Sequence, residues 1–202
     1  MKKTKIKNYQ IFSIIFTFIL GTLLHFTYDW SNQNSIVGIF SAINESTWEH
    51  LKLLFFPMLI TTIIGYFYFG KKVPNFVCSK TIGILTSIIF TIVFFYTYTG
   101  ILGKNIAFID ISSFFIATIL GEILSYLLII NNFKCNNKIA IMILIILISL
   151  FALFTFFPPN IGLFKDPTKI SINCLKSAQI DFCHWLPTIF GNYSNLNSFI
   201  YT

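Results

Sequence analysis

Arginine is absent from this chain of 202 residues, and acidic residues are few: lysine supplies all 14 positive charges, against 7 aspartates and glutamates. Charged residues make up 10% of the sequence and hydrophobic residues 55%, whereas a soluble domain is roughly 25% charged. That shortage excludes an ordinary water-soluble domain and points to a membrane protein. Cysteine is also scarce. Cys78, Cys135, Cys174 and Cys183 show no C-x-x-C or ligand-like spacing, so neither a zinc ribbon nor a redox pair is supported and unpaired thiols are expected. No Gly-rich phosphate loop, G-x-S-x-G elbow or H-E-x-x-H zinc signature occurs. A net charge of +7 would suit nucleic acid, but the lysines sit at the ends of apolar runs rather than on a solvated face, which sets that partner aside. Lys, Phe, Ile and Asn all have AT-rich codons, so compositional bias accounts for the 25 phenylalanines without any aromatic function.

What is present is apolar length. Five runs, at about residues 10–28, 51–69, 81–100, 109–130 and 139–157, each approach the ~20 residues that cross a bilayer core. The expected fold is all-α: a polytopic transmembrane helical bundle of about five spans, with the lipid bilayer as partner and the cell membrane as location. Residues 1–167 form the membrane-spanning domain and 168–202 a polar tail. Lys2, Lys3, Lys5 and Lys7 precede the first run like a signal peptide. That run is too long for one and lacks an A-x-A-like site, so it reads as an uncleaved span.

Lysines mark cytoplasmic flanks. The amino-terminal segment, the loop with Lys71, Lys72 and Lys80, and the loop with Lys134 and Lys138 share one side of a five-span protein and contain no acid. The amino terminus is therefore expected inside. Asp29, Glu45, Glu49, Asp110, Asp166 and Asp181 collect on the opposite side, leaving Glu122 alone within a span. Tyr28, Trp30 and Trp48 flank the first outer loop as interfacial anchors. Two polar or small stripes recur every fourth residue, Ser13-Thr17-Gly21-His25-Asp29 and Ser113-Ala117-Gly121-Ser125. They read as helix-packing seams. The nearly pure Ile, Leu, Met and Phe of the fifth run suits lipid contact, and Pro57 interrupts the second span.

Chemistry concentrates in N-E-S-T-W-E-H-L-K, residues 44–52. Ser46 and Glu49 have the spacing of a capping box, with Ser46 as N-cap and Glu49 reaching back. That leaves Asn44, Glu45, His50 and Lys52 unaccounted for. Glu45 falls before the helix, in the loop, so His25, Asp29, Glu45, Glu49, His50 and Asp110 gather near one interface. His25 and His50 with Glu45 or Glu49 have the composition of a catalytic site, and two histidines with carboxylates can hold a divalent ion such as zinc and leave a position for water. Asp29, four residues after His25, is placed to orient its ring or to pair with it at the helix end; Asn44, Ser46 and Asp110 are supporting or structural. Glu122, ~18 Å along its span, is either a protonated partner of Thr17, Thr61 or Thr62, or a proton relay.

The strings G-T-L-L-H-F-T-Y-D-W (21–30) and N-E-S-T-W-E-H-L-K (44–52), then Pro57, F-P-P (157–159) and L-F-K-D-P (163–167) resemble an uncharacterised family of small polytopic membrane proteins, found chiefly in low-GC Gram-positive bacteria. The resemblance covers about residues 1–167 and implies a polytopic membrane protein with no known activity. The tail departs from that pattern. The expectation is an integral membrane protein with an extracytoplasmic polar cluster. A membrane hydrolase of a lipid or cell-envelope substrate and a small proton- or cation-coupled transporter working through Glu122 are the alternatives.

Overall fold

The computed structural model describes residues 3–70 and 72–165, so Asp166 and the tail, with Cys174 and Cys183, lie outside the described residues. The elements in order are α1 (Lys3–Trp30), α2 (Ser35–Gly38), α3 (Thr47–Gly65) with a π-helical turn at Tyr66–Gly70, α4 (Phe76–Leu102), α5 (Ala107–Ile130), α6 (Asn137–Phe156) and a 3-10 turn at Gly162–Phe164. Among the described residues there is no strand. Five helices, all but α2, are long and apolar enough to cross a membrane. Short connections make successive spans antiparallel, so the start of α1 shares one end of the bundle with the starts of α4 and α6.

Local chemistry sets the helix ends. Ser46 and Asn136 are N-caps whose side chains accept from Glu49 N and Lys138 N. At the end of α4, Gly103 adopts φ 68°, a left-handed conformation that costs glycine little.

The α5 stripe is a packing seam throughout, and the α1 stripe is one from Ser13 to Gly21, whereas Asp29 at its end is exposed. Gly121 of α5 meets Gly83 of α4 so closely that a Cβ on either would stand 2.5 Å from the other's carbonyl oxygen. Ser87 Oγ donates across the same contact to Ala117 O at 2.8 Å. On α1, Ser13, Thr17 and Gly21 are buried, and a Cβ at Gly21 would lie 2.7 Å from Leu53 O. Leu53 is four residues before Pro57, so its carbonyl is the one that proline's missing N–H leaves without a helical donor. Proline on one helix and glycine on the next thus share one close contact. The face of α6 away from α4 is exposed, in keeping with lipid contact, and so is most of α1 outside its seam.

Three expectations are corrected. Trp48 is 9% exposed, not an interfacial anchor: the segment after α6 folds back, and Phe151, Phe154 and Phe164 enclose the indole at 4.7–5.6 Å. Lys80 is not a loop lysine, because α4 starts at Phe76 and carries it into the core at 0% exposure. Cys78 and Cys135 are joined as a disulfide across 57 positions. The first turn of α4 and the α5–α6 connection meet there, held also by Asn75 Nδ2 on Leu128 O at 2.9 Å and Cys78 N on Asn137 Oδ1 at 3.1 Å. No sequence spacing encodes that encounter.

Candidate metal centre

The loop between α1 and α3 is closed down on α1. Ser41 Oγ bonds to Leu24 O and Thr27 Oγ1 and accepts from Tyr28 N. Beyond it Asn44 Oδ1 accepts from Ser46 N at 2.9 Å, a local turn that presents Glu45 outward just before α3. Asn44 and Ser46 thus both bond to the backbone at the start of α3.

His50 sits in the first turn of α3. Its Nδ1 is 2.9 Å from Ser46 O, and because a carbonyl oxygen only accepts, Nδ1 carries the proton. Nε2 stands 3.4 Å from Glu45 Oε2, an ion-pair contact when the ring carries both protons and a nitrogen available for coordination when it carries one. This is how a histidine ligand is oriented in metal sites, with one ring N–H tied to a backbone carbonyl and the other nitrogen free to coordinate. His25, on α1, crosses the His50 ring at 77° with centroids 5.3 Å apart. One ligand atom each from His25, Glu45 and His50 lie within 4.8 Å of one another. Ligands ~2.0–2.2 Å from a tetrahedral ion stand roughly 3.5 Å apart, so these three would have to close by about 1 Å to hold one. The side chains of His50 and Glu45 are 36% and 49% exposed, which leaves one side open to water.

The other expected members are placed elsewhere. Glu49 does not join the histidines, nor does it reach back to Ser46 N as the capping box required. Its Oε2 accepts from Ile43 N at 3.0 Å and meets Lys52 Nζ at 2.5 Å. Lys52, fully buried, also donates to Gly38 O at 2.8 Å and Thr155 Oγ1 at 2.9 Å. A buried ammonium without a carboxylate is costly, and that need draws Glu49 inward. Asp29 is exposed, and its side chain makes no hydrogen bond or ion pair among the described residues; His25 turns to His50 instead. Asp110 accepts from Tyr98 OH, which in turn accepts from Ile106 N, so it braces the α4–α5 turn within Coulombic range of His50.

Glu122 is not bonded to Thr17, Thr61 or Thr62. Lys80 Nζ stands 2.6 Å from both its carboxylate oxygens, with Gln10 Oε1 at 3.3 Å and Ser13 Oγ at 3.2 Å. Ser13 Oγ lies 2.7 Å from Glu122 Oε1 and 2.8 Å from Thr61 Oγ1. Lys80 and Gln10 are the members that the sequence concealed. The available signal was the lone acid within a span, which demands a buried cation.

Fold and site together define a multi-pass helical membrane protein with a histidine–carboxylate cluster at one end of its spans. Residues 1–172 match a family of unknown function, DUF6512, and the chain belongs to that family. No curated protein and no solved structure matches it.

Proposed function

We propose that the chain is a metal-dependent membrane hydrolase. His25, Glu45 and His50 hold a divalent ion of the zinc type, and the substrate is a lipid or cell-envelope molecule. The observation that carries this reading is the convergence of the three ligand atoms within 4.8 Å, drawn from α1, the first loop and α3. Two neutral imidazoles and one carboxylate leave a +1 charge on a bound divalent ion and an open position for water. Such an ion would supply a water whose pKa is lowered to about 7 and would polarise a carbonyl or phosphoryl oxygen. The site lies where α1 ends and α3 begins, beside the exposed Phe26 and Trp30, whose rings stack at 5.9 Å. That placement suits a substrate anchored in the bilayer with its polar bond at the surface. Lysine distribution assigns this end to the outside, where envelope substrates are found.

The test is metal content. Protein purified in detergent without chelators and dialysed against zinc is expected to retain one equivalent, and His25→Ala, Glu45→Ala and His50→Ala to retain little. The metal-loaded protein is then assayed on ester and phosphoester lipids in mixed micelles. Wild-type protein without stoichiometric metal rules the reading out. Transport through Glu122 gains no support, since Lys80 occupies both carboxylate oxygens.

A further inference from the structure

The end of the bundle opposite the histidines carries a second reactive group. Cys78, in the first turn of α4, is 7% exposed, and Cys135, on the α5–α6 connection, is partly exposed. Beside the bond, between α4 and α6, lies a half-open cavity of about 170 Å³ lined by both cysteines and by Ile82, Leu85, Ala140 and Ile143. Exposed Lys72, Lys134 and Lys138 surround this end, which the lysine distribution assigns to the cytoplasm. Cytoplasmic thiols are kept reduced, and a disulfide formed there is transient, catalytic or redox-sensing rather than a permanent staple.

We infer that Cys78 and Cys135 form a reversible dithiol–disulfide site whose co-substrate is a cytoplasmic dithiol, with the cavity receiving the sulfur released on reduction. A thiolate of the dithiol attacks Cys135 Sγ, the more accessible sulfur, forming a mixed disulfide as the Cys78–Cys135 bond breaks. Cys78 leaves as a thiolate, takes a proton and turns into the cavity, which gives it room without repacking α4 against α6. The second thiolate of the dithiol then attacks its own sulfur in the mixed disulfide and expels Cys135. Two electrons have passed to the protein, and the dithiol leaves oxidised. Reoxidation by a small disulfide runs the exchange in the other direction; a diazene reaches the same product when one thiolate adds to its N=N bond and the second thiolate displaces the nitrogen, which leaves protonated as the hydrazine. The bond ties α4, two residues before Lys80, to the start of α6, so its state governs how firmly this end is closed.

The site is independent of the metal reading and is tested without it. The full chain carrying Cys174→Ser and Cys183→Ser leaves Cys78 and Cys135 as the only thiols. Cells are quenched in acid and free thiols are counted by maleimide mass-tagging. Both thiols should be free in unstressed cells, bonded after diamide, and free again once it is washed out. A pair that stays bonded without stress is a static crosslink and overturns the inference; so does a pair that stays free in diamide. In the purified chain, Ala140→Leu or Ile143→Phe fills the cavity and should slow reduction by dithiothreitol about tenfold, because exchange depends on access and on room for the leaving sulfur. Wild-type rates in both variants, with wild-type melting, would equally overturn it.

Discussion

Lys52 shows how much one side chain can organise. Its ammonium meets a carboxylate, a backbone carbonyl and a hydroxyl from three parts of the chain, and it is wholly buried. Removing a single member of such a pair strands a charge, which costs about 3–5 kcal/mol, whereas replacing both with neutral groups of similar volume costs far less. Lys52→Met is therefore expected to lower the melting temperature in detergent steeply, and Glu49→Gln with Lys52→Met to recover most of the loss. Equal melting of single and double variants would show that the pair carries no such charge penalty. The residues of the 44–52 motif were legible in unequal measure. Ser46 as N-cap follows from the capping spacing and Glu45 in the loop from its place before that cap, whereas Asn44 and His50 were left unaccounted for. Glu49 was assigned to the wrong partner because the sequence does not say that Lys52, three residues on, is out of reach of water.

Helices are placed by what their faces lack as much as by what they carry. The α4–α5 contact depends on two glycines, since a Cβ on Gly121 would stand 2.0 Å from Ser87 Oγ and 2.5 Å from Gly83 O. Gly121→Leu forces the helices apart, an overpacking cost of at least about 1–3 kcal/mol, and should lower the melting temperature more than Ile119→Leu on the exposed face of α5. Period-four stripes were readable because an α-helix stacks such residues on one side. The start of α4 was not, because an apolar window ends at the first lysine. A helix can continue through that lysine when a carboxylate waits across the interface.

At the scale of the whole molecule, polar groups gather at the two ends of an apolar bundle. One end holds His25, Glu45 and His50 over the Glu49–Lys52 pair. The other holds Lys80 and Glu122 within a shell of Gln10 and Ser13, which joins α1, α4 and α5. Lys80→Met leaves Glu122 buried and unpaired and is expected to abolish accumulation of folded protein. Lys80→Met with Glu122→Gln should restore folding and leave zinc retention at the distant histidines unchanged, as read by size-exclusion profile and metal content. Loss of zinc in a well-folded double variant would mean that the two ends are coupled. The sequence by itself determined the number of spans, their antiparallel order and the seams, because hydrophobic length and helical period are local properties of the chain. Tertiary structure alone decided the Lys80–Glu122 pair, the inward turn of Glu49, the Cys78–Cys135 bond and the meeting of His25 with His50. Each joins groups whose positions depend on how helices rotate and dock, and a buried charge or thiol takes its partner from whatever that docking brings within reach.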